Sequence, residues 1–185
     1  MGGALRIGGL DVGQKTDHSA LSTLREVDHG EQWAVESVVQ LPLGLSFRGQ
    51  VARLQPAIDR LDMLIVDSGG TGQAMPEFLH GAKLQKLVPA VIIGGTSKGK
   101  LIKGRVSVGK TYLVQGLLNM IHTEWLTVDP DAPGRDVLFR ELKAFQYVKY
   151  GKFRKAEAAK GHHDDCVLSL CLAAYLARTT VRQGA

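Results

Sequence analysis

Apolar residues fall into short runs along the first part of this chain, then into longer stretches with helical spacing. Leu5 to Asp11 reads as a strand that ends in a carboxylate, and Val12 to Ser19 as a polar turn. Ala20 to Val27 reads as a second strand and Asp28-His29-Gly30 as a hairpin turn. Gln32 to Leu41, with Trp33, Val35 and the Val38-Val39 pair, reads as a third strand. Three strands joined by short turns make an antiparallel meander. Ser46 is a candidate N-cap for a helix over 47–61 with Phe47, Val51, Leu54, Ile58 and Leu61 in register, and Pro56 inside it is expected to kink or shorten it. Met63-Leu64-Ile65-Val66-Asp67 is the almost wholly apolar run of a strand buried on both faces.

Beyond Asp67 the expected order is the turn Ser68-Gly69-Gly70-Thr71-Gly72, a helix over 73–84, a buried strand over 88–93 and a Gly- and Lys-rich loop over 94–103. Ser107 is expected to cap a helix running to about 122, with an extended segment over 125–128 and a helix over 135–145 after it. Residues 146–150 and 152–155 flank Gly151 as a basic hairpin. A last helix starts near His162, apolar or small almost throughout from Cys166 onward. Alternating helix and strand after a meander requires parallel pairing, so the fold class is α/β: a mixed sheet flanked by helices, with a basic hairpin before the C-terminal helix.

The chain has 185 residues, enough for a single domain over 1–185 with a real core. At 44% hydrophobic and 22% charged its composition is that of an ordinary globular protein, with no signal peptide and no apolar run long enough to span a bilayer. The formal net charge of +5 leans toward a polyanionic partner. Cys166 and Cys171 have neither zinc nor redox spacing and read as reduced packing residues. Strand-like sequence begins directly after Met1-Gly2-Gly3, as in a domain cut from a longer chain.

Three carboxylate stations stand out: Asp11 at the end of the first strand, Asp67 at the end of the fourth, and Asp164 with Asp165 where the last helix opens behind His162 and His163. Each has a plain explanation, since aspartates end strands because they start turns, and acids favour helix N-termini. Two adjacent acids with one on the apolar face of a helix are harder to explain by capping alone, because a buried carboxylate is costly unless paired or metal-bound. At about 100° per residue, Asp164 shares the most apolar face with Val167, Leu168, Cys171 and Tyr175, which favours Asp164 and His163 over Asp165. In an open sheet, sites form beyond the carboxyl ends of parallel strands, where Asp11 and Asp67 would meet if their strands are neighbours. An all-carboxylate set suits Mg²⁺ or Mn²⁺. Such ions act on phosphoryl groups in pairs about 3.5–4 Å apart.

The run Gly-Leu-Asp11 followed by Asp17, then Val-Asp67-Ser-Gly-Gly-Thr-Gly, then Gly-His-His-Asp164-Asp165 opening an apolar helix resembles the nuclease domain of tailed-phage large terminase subunits, over nearly the whole chain. The resemblance implies an RNase H-like fold and a metal-dependent endonuclease that cuts concatemeric double-stranded DNA during genome packaging in the host cytoplasm. It implies Asp11, Asp67 and one or both of Asp164 and Asp165 as ligands of two divalent cations, with one of His162 and His163 beside them; helix phase favours His163. It further implies the partners of such a subunit: an ATPase domain in the full-length protein, which this sequence does not contain, a portal and a small terminase subunit.

Other readings compete. A Holliday-junction resolvase or a non-catalytic nucleic-acid-binding module would use the same fold. Gly104-Arg-Val-Ser-Val-Gly-Lys110-Thr111 matches the phosphate-loop pattern G-x-x-x-x-G-K-[ST], although the basic stretch before it is a poor buried strand. The expectation is that Lys110 is solvated or touches DNA phosphate. DNA contacts are expected from Lys98, Lys100, Lys103, Arg105 and Lys110, and from Lys149, Lys152, Arg154 and Lys155 on the hairpin beside Lys143. Tyr147, Tyr150 and Phe153 interleave the second group as candidate stacking residues. Asp17 and His18 read either as turn residues, the favoured reading, or as groups that support the metal-binding carboxylates.

Overall fold

The computed structural model describes residues 3–150, 153–159 and 163–181; for residues 29, 147–150, 153–158 and 181 it describes the backbone. The meander forms as its sequence predicts: β1 (Arg6–Asp11), β2 (Ala20–Val27) and β3 (Gln32–Gln40) pair antiparallel in order. β4 (Met63–Asp67) lies parallel to β1, β5 (Lys86–Ile93) parallel to β4, and β7 (Arg105–Gly109) parallel to β5. β6 (Lys100–Ile102) closes one edge antiparallel to β7, and β8 (Leu126–Val128) closes the other parallel to β3. The eight-stranded order is β6-β7-β5-β4-β1-β2-β3-β8. β9 (Phe145–Tyr150) and β10 (Phe153–Ala158) form the expected separate hairpin.

Strand parity sorts the apolar residues into two cores. Ile7 of β1 and Met63 and Ile65 of β4 pack with α3 (Lys110–His122), α4 (Arg135–Ala144) and α5 (Asp165–Val181). Leu10, Leu64 and Val66 point the other way, onto α1 (Phe47–Ile58) and the region of α2 (Met75–Phe78). By the same alternation Asp11 and Asp67 lie on the α5 side. α5 crosses β1 so closely that a Cβ on Gly9 would stand 2.1 Å from the Ser169 carbonyl oxygen and 2.4 Å from the Ala173 nitrogen. Only a glycine permits that approach. Ser22 and Ser169 share a hydroxyl hydrogen bond of 2.7 Å beside it.

The structure departs from the sequence expectations in the middle of the chain. The helix expected over 73–84 shrinks to a 3-10 turn at Gly70–Ala74 and the single turn of α2, because the glycines after Asp67 are used to wrap its strand end and Pro76 falls at the helix start. The loop expected over 94–103 contains β6. Ser107 caps no helix: it lies within β7, whose Val106 and Val108 alternate with it, and α3 starts at Lys110 with Gly109 as its N-cap. Residues 105–109 are therefore an extended strand paired on both sides, so the G-x-x-x-x-G-K-T match does not form a phosphate-wrapping loop. α1 ends at Ile58, in the turn that contains Pro56. Among the described residues no helix is long and apolar enough to cross a membrane.

Candidate active site

The neighbouring parallel strands β1, β4, β5 and β7 deliver their carboxyl ends to one edge of the sheet. Leu10 pairs with Val66, so Asp11 and Asp67, one residue on, stand side by side on the α5 face. α5 descends antiparallel to β1 from that edge, which brings Asp164 and Asp165 at its start over the two strand acids. The four aspartates expected from sequence are thus brought together, and His163 lies at their rim with its Nδ1 3.6 Å from Asp165 Oδ2.

The burial of the two helix acids reverses the expectation from helix phase. Asp165 is 5% exposed, whereas the Asp164 side chain is 22% exposed and precedes the first helical residue. Phase had little to report, because α5 is buried on nearly every side from Asp165 to Ala177. Lys110 also differs from expectation: its Nζ donates to Asp164 Oδ2 at 2.8 Å, among the acids. His18 takes the second of its two expected roles and is tied to the cluster. Its backbone N–H donates to Asp165 Oδ2 at 3.3 Å, and its ring meets His163 edge-on at 5.1 Å. Its Nδ1 lies 2.7 Å from the Leu41 carbonyl, which can only accept, so Nδ1 carries the proton. Asp17 stays exposed next to Thr16.

The electrostatics are those of crowded acids. Burial pushes the Asp11 carboxyl well above the ordinary range, Asp67, Asp165 and Asp164 push it further, and Lys110 opposes them. Burial likewise raises Asp67, against backbone N–H bonds from Gly69 and Ile92. Gly69 N–H donates to Asp67 Oδ1 at 2.8 Å. Asp165 is raised to about 6 by burial and then by Glu141, with His163 and the His18 N–H holding it down. Among the described residues, four carboxylates face Lys110, an oxygen-rich donor set that fits a hard divalent cation. Among the described residues no three His, Cys, Asp or Glu groups close into a finished ligand cage. Asp11, Asp67, Asp164 and Asp165 are the residues that would hold such an ion.

The first basic group borders this edge. Arg105 donates to the Ser68 carbonyl at 3.3 Å, bracing the turn after Asp67. A cleft of about 430 Å³ beside it is lined by Gln73, Val91, Ile102, Lys103, Arg105 and Ser107. Lys98, Lys100 and Lys103 are exposed. Of the second group, Lys152 and the side chains of Lys149, Arg154 and Lys155, with those of Tyr147, Tyr150 and Phe153, lie outside the described residues.

Sequence reasoning passed over Glu141 entirely. This carboxylate is 6% exposed and accepts the N–H groups of Cys166 at 2.8 Å and Val167 at 3.2 Å. The available signal was its place on an apolar helix stripe, three residues after Leu138 and four after Val137.

No family model and no curated protein matches this sequence. Solved structures do. The large terminase nuclease from thermophilic phage G20c, with bound magnesium, matches with a TM-score of 0.68 at 24% identity, over 92% of this chain and 80% of that one. A large terminase from a second thermophilic bacteriophage matches at 0.67 and 10% identity, over 96% of this chain but 40% of that one. The g2p (large terminase) nuclease domain from bacteriophage SPP1, with bound Mn, matches at 0.61 and 12% identity, over 91% and 84%. At these identities the likeness establishes the fold: the mixed sheet and its flanking helices are RNase H-like.

Proposed function

We propose that this chain is a metal-dependent endonuclease that cleaves double-stranded DNA during viral genome packaging. The observation that carries it is the convergence of Asp11, Asp67, Asp164 and Asp165 at the carboxyl edge of an RNase H-like sheet. Solved neighbours of this fold are terminase nuclease structures with magnesium or manganese bound. A pair of such ions supplies a nucleophile at neutral pH and stabilises the leaving oxygen of a phosphodiester. Asp11, central to the cluster, would contact both ions, Asp67 one, and Asp164 and Asp165 the other. Their crowding favours binding of cations there. Lys110 balances part of that charge and would meet the scissile phosphate. Lys98, Lys100, Lys103 and Arg105 on this side, and Lys149, Lys152, Arg154 and Lys155 on the hairpin, would hold the duplex by its phosphates, with little regard to sequence.

The 40% coverage of the longer thermophilic-phage terminase fits a nuclease unit within a larger protein, whose partners would be an ATPase domain, a portal and a small subunit. The test is cleavage of supercoiled plasmid by the purified chain across Mg²⁺ and Mn²⁺ concentrations, with chelator and Asp67→Ala as controls. Cleavage that needs the metal and Asp67 is expected. Binding without cleavage at any metal concentration would instead indicate a nucleic-acid-binding module, and a strong preference for four-way junctions over plain duplex a resolvase.

A further inference from the structure

We infer that Glu141 is a positioning residue: it caps helix α5 in place of Asp164, which frees the Asp164 carboxylate to face the acid cluster. Asp164 is the N-cap of α5, since its carbonyl accepts the Leu168 N–H at 2.8 Å while the helix proper begins at Asp165. An aspartate there normally folds its side chain back onto the N–H groups two and three residues on, here Cys166 and Val167. Both of those N–H groups are already taken by Glu141 Oε2, at 2.8 and 3.2 Å. Asp164 instead turns outward to Lys110, at 2.8 Å.

Glu141 itself is fully employed. Its second oxygen accepts from Gln40 Nε2 at 3.1 Å, and it is 6% exposed, so its oxygens serve donors of the protein. Its negative charge also sits where the helix dipole is positive. Without it, two buried N–H groups lose their acceptor, a state costly enough that the N-cap carboxylate is recruited. That carboxylate is Asp164. Glu141 therefore decides whether Asp164 serves its own helix or the metal site, which is a role beyond holding α4 against α5.

The inference rests on the metal-site reading above, and calorimetric titration of Mn²⁺ into the metal-free chain separates the two. Saturable binding by the unsubstituted chain tests the site; no binding there overturns the metal reading, and this inference with it. Glu141→Gln keeps the acceptor and loses the charge, and its Mn²⁺ affinity is expected within about 3-fold of the original. Glu141→Leu keeps the bulk and loses the acceptor. It is expected to bind Mn²⁺ about 10-fold more weakly at a temperature where thermal melts show it folded, because Asp164 is drawn onto Cys166 and Val167. If Glu141→Leu does not fold, Gln40→Leu, which removes the donor that orients Glu141, should weaken binding about 3-fold. Unchanged affinity in folded Glu141→Leu, or in Gln40→Leu where that variant stands in, overturns the inference. So does Glu141→Gln weakening binding as much as Glu141→Leu, which would make charge rather than capping the cause.

Discussion

The two halves of the acid cluster are held in different ways. Asp11 and Asp67 end neighbouring parallel strands whose register runs unbroken from Ile7 opposite Met63 to Leu10 opposite Val66. Their separation is set by the ladder, and only unravelling the sheet changes it. Asp164 and Asp165 stand at a helix start and are held by side-chain and loop contacts: Lys110 on one, the His18 N–H on the other, and the helix end itself satisfied by Glu141 from a third element. The strand half is thus fixed by topology, while the helix half depends on a few replaceable contacts. Substitutions remote from the acids should therefore disturb the helix half first.

The largest expected effects come from the strand half. Asp11→Ala and Asp67→Ala should each lower plasmid cleavage by roughly 10³-fold or more, several kcal/mol of lost transition-state stabilisation, with the fold intact by circular dichroism. Near-normal cleavage by Asp67→Ala would break the equivalence of the two strand acids.

Gly9→Ala probes the joint between the halves. The added methyl meets backbone on α5, so the helix must lift from β1. We expect a loss of about 2–3 kcal/mol, or roughly 5–10 °C in Tm, and reduced cleavage although all four aspartates remain. A stable variant with full activity would mean that the helix half tolerates displacement.

Charge crowding gives a signed pH test. Asp165 is raised to about 6 in the folded chain, so its contribution to stability is complete below its ordinary value near 3.8 and is lost as the pH rises through about 6. Metal-free Asp165→Asn should therefore melt several degrees above the original at pH 7 and close to it at pH 4. A variant that melts lower at pH 7 would contradict the crowding. Lys110→Ala should act in the opposite direction, lowering the metal-free Tm at pH 7 by about 2–4 °C, because it removes the cation facing the cluster. Saturable ATP binding lost in that same variant would instead revive the phosphate-loop reading of residues 104–111.

The smallest effect is expected at the surface. Exchanging Lys98, Lys100 and Lys103 for Glu should weaken binding to unrelated duplexes about equally and flatten the salt dependence, by about 0.9 in log–log slope for each lost phosphate contact. A loss confined to one DNA sequence would point to base recognition instead.

Much of this arrangement is legible in the residues. Runs such as Met63 to Val66 announce buried strands, and a carboxylate at the end of two such strands places Asp11 and Asp67 at one edge once the strands are parallel neighbours. The phase of α5 is not legible, because a helix apolar on all sides carries no directional stripe, and Asp164 precedes the first residue to which that phase applies. The β7–α3 boundary is obscured by Ser107 and Gly109, residues equally at home before a helix, while the alternation of Val106 and Val108 that marks the strand is only five residues long. The apolar stripe could flag Glu141 as buried, but not its partners: its role arises from N–H groups 25 and 26 residues away, which local pattern does not encode. The exchange of caps between Asp164 and Glu141 exists only in three dimensions.

β6 has a consequence for how the basic surface is studied. It is an edge strand of the sheet, with no partner on its outer side among the described residues, and Leu101, 72% exposed, and Ile102 stand on it between Lys100 and Lys103. An edge strand with exposed aliphatic residues is a template for strand-to-strand self-association, and flanking lysines keep a second copy away by repulsion. These lysines therefore protect solubility whether or not DNA is present. Alanine substitutions at Lys100 and Lys103 would remove that protection and present aggregation as lost binding. Glutamate keeps the edge charged, so it isolates the phosphate contact from the colloidal behaviour of the protein.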